Sequence, residues 1–276
     1  NPVASPAATT TYTVTGTDAN GCVSTATTTV AVNAPPTLTA TSSAPYVCLG
    51  QSATLTATGA SSYVWQPANQ IQGPNAGTSV VARPDNTTVY TVTGTDDNGC
   101  VSQRTLTLNV VPNPEVSVVA DRTEICAGQA SAQLTAAGAS SYVWQPATGL
   151  NNPNVANPVA NPASTTTYTV TGTTAAGCTD VETITIVVRP LPTVSITTGP
   201  TTICVGQNTT LSASGATSYR WEPTAGLSDA NIANPVASPA VTTAYTVFGT
   251  DANGCVSTAT ATIFVSPLPS VSAVAS

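Results

Sequence analysis

A twelve-residue stretch, TYTVTGTDANGC at Thr11–Cys22, returns at Val89–Cys100, Thr167–Cys178 and Ala244–Cys255, with its cysteines 78, 78 and 77 residues apart. That period is far too long for one turn of a solenoid and suits a small β-domain laid end to end. Each copy reads as a strand, a tight turn and a second strand. In Thr87–Asp96 the alternation places Tyr90 and Val92 on one face and threonines on the other, the period of a half-buried strand. Asp-Asp-Asn-Gly then reverses the chain, since Asn and Gly accept the positive φ a hairpin needs. The return strand alternates Leu106, Leu108 and Val110 with Thr105, Thr107 and Asn109.

Superposing the repeats on one another predicts the rest of the domain. Each full repeat opens after prolines (Pro35-Pro36, Pro112 and Pro114, Pro190 and Pro192), which make a short, stiff connection. A first strand follows, at Thr37–Ser43, Val116–Asp121 and Thr193–Thr198. Next come the signatures YVCLGQ, EICAGQ and TICVGQ and a second strand with Leu55, Leu134 and Leu211 facing inward. A third strand carries the only tryptophans, Trp65, Trp144 and Trp221, one per repeat at the same place. These are read as core anchors, because burying one large aromatic supplies much of what a small domain has to offer. A proline- and asparagine-rich passage, NPVASPA at Asn1–Ala7 and Asn234–Ala240 and NPVANPA at Asn157–Ala163, reads as an edge strand and loop. The first full repeat departs most here, at Gln72–Pro84.

The predicted fold is all-β: tandem immunoglobulin-like Greek-key β-sandwiches arranged end to end, with no helix. The expected boundaries are 1–33 for the C-terminal half of a repeat, 34–111, 112–189 and 190–265 for three full repeats, and 266–276 for the start of another. Residues 1–33 match 234–266 at 26 of 33 positions, so the expectation is an excerpt from a longer array. At about 3.3 Å per strand residue, three repeats would reach on the order of 100 Å.

Composition limits the functions open to such an array. Charged residues make up 6% of the 276, the net charge is −7, all five basic residues are arginine, and lysine, histidine and methionine are absent. With no basic stripe to neutralise phosphates, nucleic acid is not an expected partner. No run of about 18 apolar residues occurs, so membrane insertion is not expected, and the first residues lack a signal-peptide pattern. A nucleophile turn, a phosphate loop and a recurring pair of acids are all missing, so neither enzyme activity nor a cofactor is expected.

The motifs ICVGQ, LSASGATSYRWEP, NPVASP, TTAYTV and TDANGC, taken in that order, resemble the immunoglobulin-like and PKD-like repeats of giant Bacteroidetes cell-surface proteins. These include gliding-motility adhesins and other substrates of the type IX secretion system. The resemblance covers the whole chain and implies a stalk or spacer on the cell surface. Its partners would be other repeats of the same protein or identical chains in a filament, with adhesive ligands bound outside this segment.

Seven cysteines fall into two classes: Cys48, Cys126 and Cys204 before the second strand, and Cys22, Cys100, Cys178 and Cys255 before the last. Without histidine or CxxC a zinc site is not expected, and disulfides in an oxidising, extracellular setting are. The simplest pairing stays inside each repeat, Cys48–Cys100, Cys126–Cys178 and Cys204–Cys255, leaving Cys22 unpaired; a self-contained repeat can be duplicated without losing its bond. Against it, the two cysteine positions fall at opposite ends of a strict seven-strand sandwich. The alternative staples neighbours, Cys48–Cys178 and Cys126–Cys255. Asp18, Asp96 and Asp251 could suggest a calcium ligand, but Thr174 stands at this position in one copy, which favours a turn-capping role. Asn86 and Asn208 fit the N-glycosylation pattern, and the threonine-rich faces could carry O-linked sugars.

The function expected from these residues is a structural or adhesive segment of a long extracellular repeat protein, a stiff disulfide-bonded stalk or filament shaft. A self-assembling filament subunit and a spacer in a secreted hydrolase are the alternatives.

Overall fold

The computed structural model describes residues 1–273, where the only regular element other than β-strand is a 3-10 turn at Ala68–Gln70. The expected start of a further repeat at 266–276 therefore lies, at its last three positions, outside the described residues. Two compact units are present: one holds Asn1–Pro114 with the turn Ala175–Cys178, the other Glu115–Thr174 and the chain from Thr179 onward.

In the first unit, β1 (Thr10–Thr17) and β2 (Val23–Val30) make an antiparallel hairpin with Thr10 opposite Val30 and Thr17 opposite Val23. The full repeat that follows contains β3 (Thr39–Ser42), β4 (Tyr46–Cys48), β5 (Ala53–Thr58), β6 (Ser62–Gln66), β7 (Ile71–Gln72), β8 (Ser79–Ala82), β9 (Thr88–Thr95) and β10 (Val101–Val111). They form two four-stranded sheets, ordered β3-β5-β8-β7 and β4-β10-β9-β6. The two sheets have the immunoglobulin-like Greek-key order. Along β5, Ala53, Leu55 and Ala57 are buried and the threonines between them exposed, as a pleated strand with one face on a core requires. Trp65, Tyr90, Leu55 and Leu108 are fully buried between the sheets.

The predicted first strand, Thr37–Ser43, contains β3, and the YVCLGQ signature that follows it opens on a further strand, β4. β3 pairs antiparallel with β5, while β4 leaves that sheet and pairs parallel with β10, Val47 opposite Val110. Ser43-Ala44-Pro45 separates them, and a proline there cannot donate to either ladder. The corresponding breaks in the later repeats are Asp121-Arg122-Thr123 and Gly199-Pro200-Thr201. This switch carries the first cysteine class to the far end of the last strand.

The second unit contains the other two full repeats. One is built from β11 (Ser117–Ala120), β12 (Glu124–Cys126), β13 (Ala132–Ala137), β14 (Ser141–Gln145), β15 (Val159–Ala160), β16 (Thr166–Thr173) and β17 (Thr179–Arg189). The other comprises β18 (Ser195–Thr198), β19 (Thr202–Cys204), β20 (Thr209–Ser214), β21 (Ser218–Glu222), β22 (Val236–Ala237), β23 (Thr243–Thr250) and β24 (Val256–Ser266). Their sheets run β11-β13-β15 with β12-β17-β16-β14, and β18-β20-β22 with β19-β24-β23-β21. Each encloses its own cluster, around Trp144, Tyr168 and Ile186 in one and Trp221, Tyr245 and Ile263 in the other. The extra strand pairing of the first full repeat, β7 with β8, falls in its divergent passage.

A turn closing the second strand needs glycine. Gly138 has φ +97°, and a Cβ there would lie 1.9 Å from the Glu115 carbonyl oxygen, a clash only glycine avoids.

One buried polar atom has no partner among the described residues. Thr209, 4% exposed, occupies the place of Ala53 and Ala132, and its Oγ1 meets no hydrogen-bond partner. Such a hydroxyl costs about 1–3 kcal/mol. Thr209→Val keeps the shape and removes the orphan, so it is expected to raise stability by ~1 kcal/mol, read as a higher urea midpoint at unchanged slope. An unchanged or lower midpoint would contradict this.

Candidate functional site

The three indoles serve the cores. Trp65, Trp144 and Trp221 are 0%, 1% and 0% exposed. Each Nε1–H donates to a loop carbonyl, that of Gly77 at 3.1 Å, Val155 at 2.9 Å and Ile232 at 2.9 Å. A buried tyrosine braces the same loop in each of the last two repeats, the Tyr168 hydroxyl donating to Thr148 O at 3.0 Å and that of Tyr245 to Ala225 O at 2.9 Å. Among the described residues no group of three His, Cys, Asp or Glu is placed to hold a metal ion. The acidic turn residues act on the backbone: Asp96 Oδ1 accepts the N–H groups of Asn98 at 2.9 Å and Cys100 at 2.8 Å.

The chemistry that joins repeats lies in the cysteines, and here the expected pairing is corrected. The bonds are Cys48–Cys178 and Cys126–Cys255, with Cα atoms 5.5 and 5.4 Å apart, and not Cys48–Cys100, Cys126–Cys178 or Cys204–Cys255. Cys22, Cys100 and Cys204 carry no disulfide. The reason is the parallel register. Cys48 lies opposite Val111, the last residue of β10, whereas Cys100 immediately precedes its first. Eleven strand residues at about 3.3 Å each separate those positions by roughly 35 Å, against the 4.4–6.8 Å a disulfide spans. Cys126 opposite Arg189 and Cys204 opposite Ser266 repeat the arrangement.

Within the second unit the joint around Cys126 is built in full. Gln129 clasps the backbone of Val256: its Nε2–H donates to Val256 O, and its Oε1 accepts Val256 N–H at 3.2 Å. Beside it Arg189 makes a two-point ion pair with Glu124, Nη2 to Oε1 at 2.9 Å and Nε to Oε2 at 3.2 Å. Cys255 is fully buried. In the first unit Cys178 is 1% exposed, and the Tyr46 hydroxyl donates to Ala176 O at 3.1 Å. Sequence reasoning named the signatures YVCLGQ, EICAGQ and TICVGQ and missed the role of their glutamine. Its signal was present, since Gln51, Gln129 and Gln207 recur in every full repeat.

Electrostatics at these positions is sparse. Hydrogen bonding from Arg189, then its charge, holds the Glu124 carboxyl below its ordinary value. A backbone hydrogen bond from Gln133 lowers Asp121. Burial alone would raise Asp251, but the N–H groups of Cys255, Asn253 and Gly254 outweigh it and lower it. Burial pushes the Tyr90, Tyr168 and Tyr245 hydroxyls up. The depressed carboxyls contribute stability above the ordinary carboxylate pKa that is lost as pH falls through their folded values. The raised phenols contribute stability below about pH 10 that is lost as pH rises through theirs. With no histidine between, the melting temperature is expected to stay flat from about pH 5 to about pH 9 and to fall outside those limits. A step between pH 6 and 8 would contradict this.

No family model and no curated protein matches this chain. Solved structures similar to it include the Ca2+-stabilized adhesin that helps an Antarctic bacterium reach out and bind ice, at 15% identity over 93% of this chain and 81% of that one, TM-score 0.38. Invasin, a bacterial integrin-binding protein, is 14% identical over 92% of this chain and 64% of its own, TM-score 0.39. Extracellular domains 3–5 of Drosophila OTK are 10% identical over 80% and 93%, TM-score 0.33. At these scores no function is carried over. Among the described residues no helix is long and apolar enough to cross a membrane.

Proposed function

We propose that this chain is a non-enzymatic, mechanical segment of a long extracellular repeat protein, a stalk or shaft whose repeats are covalently stapled to their successors. The carrying observation is the pair of disulfides at sequence separations of 130 and 129, each joining the first cysteine class of one repeat to the second class of the next. Disulfides persist in oxidising compartments, which supports an extracellular setting. The absence of histidine, lysine and methionine suits life outside a cell, offering little to mild pH change, trypsin-like proteases or oxidants. The motif resemblance supports a Bacteroidetes cell-surface protein exported by type IX secretion, with other repeats of the same protein as its immediate partners.

The reading is tested on intact cells that make the protein. After treatment with a membrane-impermeant reductant, a membrane-impermeant maleimide is expected to label Cys48, Cys126, Cys178 and Cys255 without lysis. Labelling that appears only after lysis, or thiols already reduced in the cell, would overturn it.

A further inference from the structure

The two sulfurs of the bridge in the second unit are not equivalent to an incoming reagent. Cys255 is 0% exposed, whereas Cys126 is half-buried. Cys126 lines a cleft of about 320 Å³ together with Arg122, Glu124, Gln129, Arg189 and Asn253, and Cys255 is not part of its wall. At ~30 Å³ per water, such a cleft has room for about ten waters. We propose that Cys126 is a thiol-exchange site, where a small thiol enters the cleft and forms a mixed disulfide, and that Gln129 is the positioning residue that returns Cys255 to it. This rests on the reading of the repeats as members of a stapled array.

Access sets the direction of the exchange. A thiolate displaces the partner sulfur by attacking in line with the S–S bond, so the attacked sulfur must be reachable from the side away from its partner. With Cys255 enclosed, the route left runs through the cleft to Cys126. The incoming thiolate bonds Cys126 Sγ, the bond to Cys255 Sγ breaks, and Cys255 leaves as a thiolate that takes a proton from water. In the reverse step the Cys255 thiolate attacks Cys126 Sγ of the mixed disulfide and expels the small thiol, so resealing consumes no oxidant.

The opened joint keeps its register, because its other bonds do not pass through sulfur. Gln129 N–H donates to Cys126 O at 3.1 Å, which ties this residue to the entry cysteine. Its side chain holds both backbone groups of Val256, the residue after Cys255. The turn carrying Cys255 is itself fixed, with Asp251 Oδ1 accepting Cys255 N–H at 2.9 Å. Cys255 therefore stays beside Cys126 at a high effective concentration, and closure outruns attack by a second small thiol. The same inequality recurs in the first unit, where Cys48 is half-buried and Cys178 is 1% exposed. Both staples are entered from the first cysteine class.

The test uses the full-length chain with Cys22→Ser, Cys100→Ser and Cys204→Ser, so that only the bridges react. After brief treatment with 2-mercaptoethanol and an acid quench, peptide masses are expected to show the adduct on Cys126 and a free thiol on Cys255, about tenfold over the reverse arrangement. Because a resealing adduct is short-lived, single substitutions in the same background give a second reading. Cys126 in Cys255→Ser is expected to react with an aromatic disulfide about tenfold faster than Cys255 in Cys126→Ser. Gln129→Ala keeps both sulfurs, and in a glutathione buffer it should lower the effective concentration for closing Cys126–Cys255 about tenfold, the worth of two hydrogen bonds, while leaving that of Cys48–Cys178 unchanged. The proposal is overturned by adducts on Cys255 equal to or above those on Cys126, by equal rates in the two single variants, or by a Gln129→Ala chain whose two bridges close as before or weaken together. Adducts confined to Cys126 alongside failed cell labelling would sink the extracellular reading and leave the exchange site standing.

Discussion

Held by its two ends and pulled without reductant, the chain is expected to extend to about 420 Å and stop, and to lengthen to about 960 Å once reduced. Both figures follow from covalent connectivity at about 3.5 Å per residue. With Cys48 bonded to Cys178 and Cys126 to Cys255, the backbone runs three times between the two bridges, through 49–125, 127–177 and 179–254. The shortest run governs, leaving about 120 residues of taut path instead of about 275. No event the size of a whole repeat can then appear, whereas the reduced chain should open in three steps of about 78 residues, the spacing of its cysteines. Pairing inside each repeat would set the same starting limit, so substitutions separate the two. Cys100→Ser is expected to leave the limit near 420 Å and Cys48→Ser to move it to about 510 Å; internal pairing would instead give about 600 Å for Cys100→Ser. Each bridge closes a loop of roughly 130 residues, worth about 5 kcal/mol taken alone in the chain-entropy model.

Replacing one indole is expected to melt one repeat and leave the others folded. Trp144→Ala removes a side chain 1% exposed together with its hydrogen bond to Val155 O, and a change of that kind costs about 3–5 kcal/mol. A core of this size holds little in reserve. The three tryptophans belong to three separate clusters, so fluorescence reports each repeat on its own. In Trp144→Ala the remaining emission, from Trp65 and Trp221, should stay at the wavelength of buried indole, while hydrogen exchange of the amides in β13, β14 and β16 accelerates. A red shift of both remaining indoles would show that the cores are not separate.

Much of this fold is legible in the sequence, because it is written in short-range patterns. Tyr90 and Val92 alternating with threonine, the Asp-x-Asn-Gly turns and the single tryptophan per repeat each specify an element whose neighbours in sequence are also its neighbours in space. The further strand in the YVCLGQ signature is another matter. Nothing in Thr37–Cys48 by itself says that Thr39–Ser42 joins one sheet and Tyr46–Cys48 the other, and that choice, made by parallel pairing with a strand more than fifty residues away, decides which cysteines can meet. Alternation also predicted Leu106, Leu108 and Val110 facing inward together, yet only Leu108 is fully buried, the ends of β10 being less covered. The clasp by Gln129 needed the joint itself, because its partner Val256 is 127 residues distant.

The hairpin β1–β2 shows how far burial depends on the rest of the sandwich. Tyr12 and Val14 are 39% and 67% exposed, while their counterparts Tyr90 and Val92 are both 0% exposed, in one cluster with Leu55 and Ala57 of β5 and Trp65 of β6.

The stapling of each repeat to its successor is tested most directly by digesting the protein unreduced with pepsin at acid pH, where thiol exchange is frozen, and identifying the linked peptides by mass. The expected result is Cys48 joined to Cys178 and Cys126 to Cys255, with Cys22, Cys100 and Cys204 recovered alkylated from protein purified without oxidant. Peptides joining Cys48 to Cys100 or Cys126 to Cys178 would contradict it.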